Sequence, residues 1–343
     1  EISLGLVGSE MCIRDRIIIA ISDKVTARHF NYTFRVQPRG SAWGESTVRF
    51  IASVCKEKLG KDPSELKIAI IHEDGPYGVS VSNLNEKVAK EYGMQIVLKE
   101  AYSHKATDLS PLITKLKAAE PDVIFHTGYF PDIVLFLRQA KELGLKMDAY
   151  LGHGAGHANP MLLAKEVGED VVNYMFNVDP CPAQLLIELA EKKPGIMPKE
   201  MVDLLKEFLD RYYKKYNDPN PPTHATQGFA HTWVLLTDVL PRAIQKYGKV
   251  TADTIAAAAR ECDIPQWGTP AGYGVKFAGP GEVDKWGVPW QGQNKRSFPV
   301  VYQWVNGKFV VVYPPEMATG EPVIPLPPDS PFSRRKGGSL LTY

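Results

Sequence analysis

The sequence predicts an α/β protein organised around a doubly wound parallel sheet, and three observations predict it. From Ile17 onward, short apolar runs bounded by Gly, Pro, Asp or Ser alternate with helical periods, the signature of βα units feeding a parallel sheet. At 343 residues the chain has room for about two domains and a sizeable core. Hydrophobic residues at 44% and charged residues at 23% are ordinary globular proportions, which excludes a disordered, coiled-coil or collagen chain.

The elements follow in order. Strands are predicted over Ile17–Ile21, Leu66–Ile71, Gln95–Leu98, Val123–Thr127, Ala149–Gly152 and Val172–Phe176. Between them, Ala42–Lys58, Gly78–Tyr92, Pro111–Ala119, Pro131–Leu143 and Asn159–Val167 carry apolar residues at three-to-four spacing and are predicted helices. Ser110 before Pro111 and Asn159 before Pro160 each place a capping side chain ahead of a proline at the first helical position. The run from Leu66 to Phe176 thus reads as one continuous doubly wound domain. After the proline-bearing stretch Asp179–Pro182 the texture changes to long helices, Lys199–Tyr216, Ala225–Tyr247 and Thr251–Glu261, without intervening strands. These helices need a sheet to cover, and only Ile17–Ile21 precedes them, so this half is expected to be incomplete. Gly274–Phe277 reads as a strand, and Val300–Trp304 with Phe309–Tyr313 as a hairpin turning through Asn306-Gly307.

Lys plus Arg is 40 against Asp plus Glu 39, so no net field marks a nucleic-acid or anionic-membrane partner. No apolar stretch approaches the roughly 18 residues of a membrane span. The four cysteines, Cys12, Cys55, Cys181 and Cys262, have neither disulfide-framework nor zinc spacing. The opening residues 1–16 (EISLGLVGSEMCIRDR) have no helix or strand period and resemble translated library-adaptor sequence, so they are set aside as non-native. Pro322, Pro325, Pro327, Pro328 and Pro331 make residues 321–343 read as a Pro-rich extended tail.

Several blocks carry a family resemblance. Tyr32-Thr33-Phe34-Arg35 stands before a helix; Lys67-Ile68-Ala69-Ile70-Ile71-His72-Glu73-Asp74-Gly75-Pro76-Tyr77-Gly78 joins an apolar strand to an acidic pair and a Tyr-Gly helix start. Asp108-Leu109-Ser110, Pro121-Asp122-Val123-Ile124-Phe125-His126-Thr127-Gly128-Tyr129 and Leu137-Arg138-Gln139-Ala140-Lys141-Glu142-Leu143-Gly144 follow in the same order. Together they resemble the type I periplasmic solute-binding proteins of ABC transporters, in particular the leucine/isoleucine/valine-binding branch, from Ile17 to about Pro315. The resemblance implies two doubly wound, Rossmann-like lobes with a ligand cleft between them. It places residues 17–38 and 181–297 in an N-terminal lobe that is truncated, and residues 39–180 and 298–320 in the C-terminal lobe.

Ligands of doubly wound sheets sit beyond the carboxyl ends of the strands, which selects the site loops. Tyr77 and Tyr129 follow strands at helix starts and are expected to wall the cleft, with Gly128 allowing close backbone approach. The resemblance implies that Ala20 and Ser22, at the end of the upstream strand, bind a ligand carboxylate, and that His224 shapes selectivity. It also implies an acid at Gly154, where leucine-type binders carry a Glu for the ligand ammonium; either Glu73 or Asp74 substitutes, or the ligand is not an α-amino acid. His153 beside it is expected to contact a carboxylate or polar ligand. His126, His153 and His157 could suggest a metal, but His153 and His157 lie on a glycine-rich loop with no carboxylate fixed beside them, so no metal is expected. No G-x-S-x-G, Walker or G-x-G-x-x-G motif is present and no cysteine has an evident His partner, so neither an enzyme nor a cofactor is expected. Trp286, Trp290 and Trp304 read as core and hairpin packing.

The implied function is that of a monomeric, extracytoplasmic substrate-binding component, periplasmic or lipid-anchored, with its signal segment absent from this chain. It would bind a branched-chain or other amino acid, an amide or a small carboxylate by lobe closure and deliver it to a membrane permease. The alternative is a ligand-sensing domain of the same fold feeding a receptor or regulator.

Overall fold

The computed structural model describes residues 16–17 and 20–335. The chain divides into two compact units: the first takes in the chain to Gly40 together with Pro180–Pro299, the second Ser41–Asp179 together with the chain from Val300. Residues 1–15 of the segment set aside as non-native lie outside the described residues. Arg16–Ile17 (β1) pairs in parallel with Phe34–Arg35 (β2), Arg16 opposite Phe34 and Ile17 opposite Arg35. Of the strand expected over Ile17–Ile21, positions 18 and 19 lie outside the described residues and Ala20 is in no strand.

The second unit opens with α1, Gly40–Leu59, whose inner face buries Val48, Ile51 and Cys55 at three-to-four spacing. Then βα units alternate: β3 Lys67–Glu73, α2 Pro76–Glu91, β4 Gln95–Tyr102, α3 Ser110–Ala119, β5 Val123–Thr127, α4 Phe130–Glu142, β6 Ala149–His153 and α5 Pro160–Val167. The near-continuous apolar runs of β3 and β5 are buried along their length, as strands covered on both faces must be. Asn159 caps α5 by accepting from Leu162 N–H at 3.0 Å, as the sequence predicts.

The sixth expected strand is displaced. Val172 closes a short helix, α6 Glu169–Val172, and the strand β7 runs over Phe176–Asp179 instead. Glu169 and Asp170 suit the positive end of a helix, Val171 and Val172 are buried on its inner side, and Tyr174 at φ 71° cannot pair as extended backbone.

Returning to the first unit, α7 Ala183–Lys192 was not predicted, although Leu185, Leu186 and Leu189 line its buried face. The helix α8, Lys199–Tyr216, coincides with its prediction. The helix expected over Ala225–Tyr247 is α9 Thr223–Val234, a wide π turn Leu235–Val239 and α10 Leu240–Tyr247. The wide turn lies immediately ahead of Pro241, whose ring crowds the carbonyls of the preceding turn. α11, Ala252–Arg260, is capped by Thr251 Oγ1. Gly274–Phe277 forms no strand, only single bridges from Val275 to Ile264 and from Phe277 to Asn294.

The hairpin β8 Val300–Val305 and β9 Lys308–Tyr313 belongs to the second unit and adds two antiparallel strands, giving a seven-stranded sheet in the order β4-β3-β5-β6-β7-β8-β9. Asn306 and Gly307 have φ of 48° and 80°, as a two-residue turn with both central residues left-handed requires. The stretch read as an extended tail is built into this unit as far as it is described: Leu326 and Phe332 lie in the core beside Ile124, Phe136 and Tyr150. Its prolines deny it helix and strand, but they leave its apolar side chains free to fill the sheet's flank.

Candidate ligand-binding site

The carboxyl ends of β3 to β6 bring together most of the residues that the sequence singles out. Glu73 ends β3 fully buried, and its carboxylate accepts from the Gly75 N–H at 2.6 Å and the Gly78 N–H at 2.5 Å, at the positive start of α2. Tyr77, in the first turn of α2, is buried, and its hydroxyl donates to the His153 carbonyl at 2.5 Å. Burial, and after it the charge of Asp179, holds the Tyr77 phenol far above its ordinary range, so it stays a donor.

Trp43 of α1 packs edge-on to Tyr77, ring centroids 6.4 Å apart. Its indole also covers Gly154, where a Cβ would lie 2.3 Å from the ring and φ is +41°. Position 154 therefore has room for no side chain, and an acid there is sterically excluded. The Trp43 indole N–H is buried and has no hydrogen-bond partner among the described residues.

Tyr129 immediately precedes α4 and is 41% exposed, its ring 5.5 Å from Tyr77 and 5.7 Å from His104. Its backbone N–H donates to the buried Asp132 carboxylate. Burial raises the Tyr129 phenol, with Glu73 and Asp132 adding to the shift. Beyond this aromatic cluster lie Asp74 and His104, both exposed; with Glu73 they place one ligand atom each within 4.8 Å of one another. Glu73 is committed to two amides, whereas the Asp74 side chain is exposed.

His153 is fully buried rather than open to solvent. Its Nε2 lies 2.8 Å from Thr47 Oγ1 and its Nδ1 2.9 Å from Thr127 Oγ1 and 3.1 Å from the His126 carbonyl. Desolvation lowers its pKa to about 4, so the ring is neutral at pH 7. His157 is also buried and lowered to about 3, by desolvation first and by His153 second.

The remaining candidates are in the first unit. Ala20 is exposed, and its carbonyl accepts from Arg35 Nη1 at 3.0 Å; the Ser22 carbonyl accepts from the same nitrogen at 2.9 Å. Arg35 is fully buried, also bonding Gln293 Oε1 at 2.6 Å and Thr26 Oγ1 at 3.2 Å, and it pins the whole loop from Ala20 to Thr26. Burial pulls its pKa down to about 9, which leaves it charged at neutral pH. His224, in the first turn of α9, is half-buried, and desolvation lowers its pKa.

Tyr77, Gly128, Tyr129, His153 and Gly154 thus form one cluster in the second unit, and Ala20, Ser22 and His224 belong to the first. Sequence reasoning missed Trp43 and Asp132. Asp132 sits two residues after the helix-starting Phe130, a spacing from which a carboxylate reaches back to the amide of the residue before the helix; Trp43 carries no comparable signal.

The periplasmic binding protein family model matches residues 11–283 of this sequence. The chain belongs to that family. It is 33% identical over 299 residues to Leu/Ile/Val-binding protein homolog 8 of Brucella abortus (strain 2308), an alignment covering 87% of this chain and 67% of that one. Among solved structures, a leucine binding protein from Thermotoga maritima superposes with a TM-score of 0.67 at 19% identity, covering 91% of this chain and 75% of that one. A solute binding protein of an ABC transporter from R. palustris, in complex with benzoate, superposes at 0.60 with 13% identity, covering 87% and 69%. These two likenesses establish the two-lobed α/β fold. Family members are extracytoplasmic solute-binding proteins. No helix among the described residues is long and apolar enough to cross a membrane.

Proposed function

We propose that this protein is the extracytoplasmic solute-binding component of an ABC transporter, taking a small polar solute and passing it to a membrane permease, as a monomer and without making or breaking a bond. The observation that carries this reading is the strand-end cluster of the second unit, in a chain that belongs to a solute-binding family. There the exposed ring of Tyr129 stands beside buried Tyr77 and Trp43, with the N-terminus of α4 next to it. In this reading Tyr129, Tyr77, Gly128 and the Gly154 backbone contact the solute, the Trp43 N–H supplies a donor, and His153 acts through the carbonyl that holds Tyr77. Ala20, Ser22 and His224 are the contacts proposed for the first unit. Periplasmic or lipid-anchored placement belongs to the same proposal.

The solute class turns on charge. With Gly154 covered by Trp43 and Glu73 tied to amides, Asp74 is the partner proposed for an α-ammonium group. Thermal unfolding with leucine, isoleucine, valine, benzoate and small amides tests this. A solute at about a hundred times its Kd adds about 2.7 kcal/mol and moves the midpoint by several degrees. A shift with a branched-chain amino acid that Asp74→Asn weakens at least about tenfold supports the amino-acid assignment. A shift with benzoate that Asp74→Asn leaves alone moves the ligand class to carboxylates, and silence across the panel sinks both.

A further inference from the structure

The loop that carries Gly128 and Tyr129 rests on Asp132. That carboxylate accepts the Tyr129 N–H at 3.0 Å through Oδ1 and 3.2 Å through Oδ2, and it accepts the Tyr102 hydroxyl through Oδ2 at 2.6 Å. Gly128 lies so close that a Cβ would stand 2.3 Å from the Tyr102 oxygen and 2.4 Å from Asp132 Oδ2, so the loop has no lateral room. The contacts then continue inward. The Tyr102 oxygen is 2.8 Å from His126 Nε2, His126 Nδ1 is 2.6 Å from the Tyr150 oxygen, and that oxygen is 3.0 Å from His157 Nε2. All five side chains are more than nine-tenths buried. They come from three strands of one sheet, β4 on one side of β3 and β5 and β6 on the other, from the first turn of α4 and from the turn after β6.

We propose that His157, Tyr150, His126, Tyr102 and Asp132 form a single directed hydrogen-bond chain that positions the Gly128–Tyr129 loop, making Tyr102 and His126 positioning residues for the solute site. Its relevance to solute rests on the function proposed above, whereas its existence does not. The direction follows from the carboxylate end. Tyr102 spends its one hydrogen on Asp132, so its oxygen must accept from His126 Nε2–H. Burial keeps His126 neutral, leaving Nδ1 with a lone pair that accepts the Tyr150 hydrogen. The Tyr150 oxygen then accepts from His157 Nε2–H. Each hydroxyl donates once and accepts once, and the loop is tied to three strands before any solute arrives, which is preorganisation of the kind that lowers the ordering cost of binding.

The test needs no solute, so its failure is separate from failure of the functional reading. In the full chain labelled with ¹⁵N-histidine, long-range ¹⁵N–¹H correlation at neutral pH is expected to show Nε2–H tautomers at His126 and His157. Asp132→Asn turns the carboxylate end into a donor, which reverses the chain and moves His126 to Nδ1–H. Tyr102→Phe is expected to speed hydrogen exchange at the Tyr129 amide about tenfold. Tyr174→Phe, which deletes a phenol hydroxyl bonded to Asp329 outside the chain, should leave that amide unchanged. An Nδ1–H tautomer at His126 in the unsubstituted protein, or an unmoved Tyr129 amide in Tyr102→Phe, overturns the proposal. Should Tyr102→Phe fail to fold, the Asp132→Asn tautomer alone decides it, an unreversed His126 counting against.

Discussion

In the second unit five parallel strands and an antiparallel hairpin satisfy one another's backbone groups along a continuous seven-stranded ladder. In the first unit, among the described residues, the only ladder is two residues long on each side, and the segments outside the helices are joined by single bridges and by side-chain bonds to the backbone. Asn294 donates to the Val36 and Gly274 carbonyls and accepts from the Lys276 and Arg296 amides. Gln293 donates to the Gln37 carbonyl, and Arg35 holds the Ala20–Thr26 loop. A ladder spreads its stabilisation over many equivalent bonds, whereas a side-chain framework concentrates it in a few residues. Single polar truncations should therefore hurt the first unit more than conservative core changes hurt the second.

The largest expected effect tests that contrast directly. Arg35→Met removes the donor shared by four acceptors, of which Gln293 Oε1 and Thr26 Oγ1 are buried, and should cost about 3–5 kcal/mol in urea unfolding. Ile124→Val, in the ladder, should cost about 0.5–1.5 kcal/mol. Equal costs would break the comparison.

Acid should single out the second unit. His126, His153 and His157 are buried neutral with pKa values below the ordinary histidine range, so the unfolded chain binds more protons below pH 6.5 and stability falls as pH falls. His153 alone loses about 3 kcal/mol between pH 6.5 and about pH 4. Unfolding midpoints measured across that window should drop in the wild type and drop less steeply in a His153→Asn variant, with His126 and His157 supplying the remaining slope.

Gly154→Ala combines a left-handed backbone with a clash against Trp43 and should cost about 2–3 kcal/mol. Adding Trp43→Leu should recover the clash but not the backbone part, and a double-mutant cycle showing no coupling would refute the packing account. Leu326→Ala, in the closing proline-rich stretch, should still cost about 2 kcal/mol because the side chain is in the core. A neutral result would return that stretch to the status of a tail.

Much of this fold was legible beforehand because its signals are local. The strand Val123–Thr127, the helix Lys199–Tyr216 and the Asn306-Gly307 hairpin each carry their whole pattern within a short window. Val172 was misplaced because a buried valine pair reads alike as strand or as the inner face of a short helix. Tyr77 and Tyr129 stand beyond the ends of β3 and β5, where their place after predicted strands puts them. His153 was expected to face ligand, and its enclosure by Thr47, Thr127 and the His126 carbonyl has no local signature.

By itself the sequence determined the alternation of strands and helices from Leu66 to Val167, the hairpin turn and the family, since hydropathy period, capping residues and turn residues act over a few neighbours. Only the tertiary structure decided that Arg35 meets Gln293, 258 residues away, that Trp43 closes position 154, and that three strands line up Tyr102, His126 and Tyr150 beneath Tyr129. The reason is physical: a hydrogen bond or a steric contact is set within a few ångströms of space, and separation along the chain says nothing of that distance until the sheet has assembled.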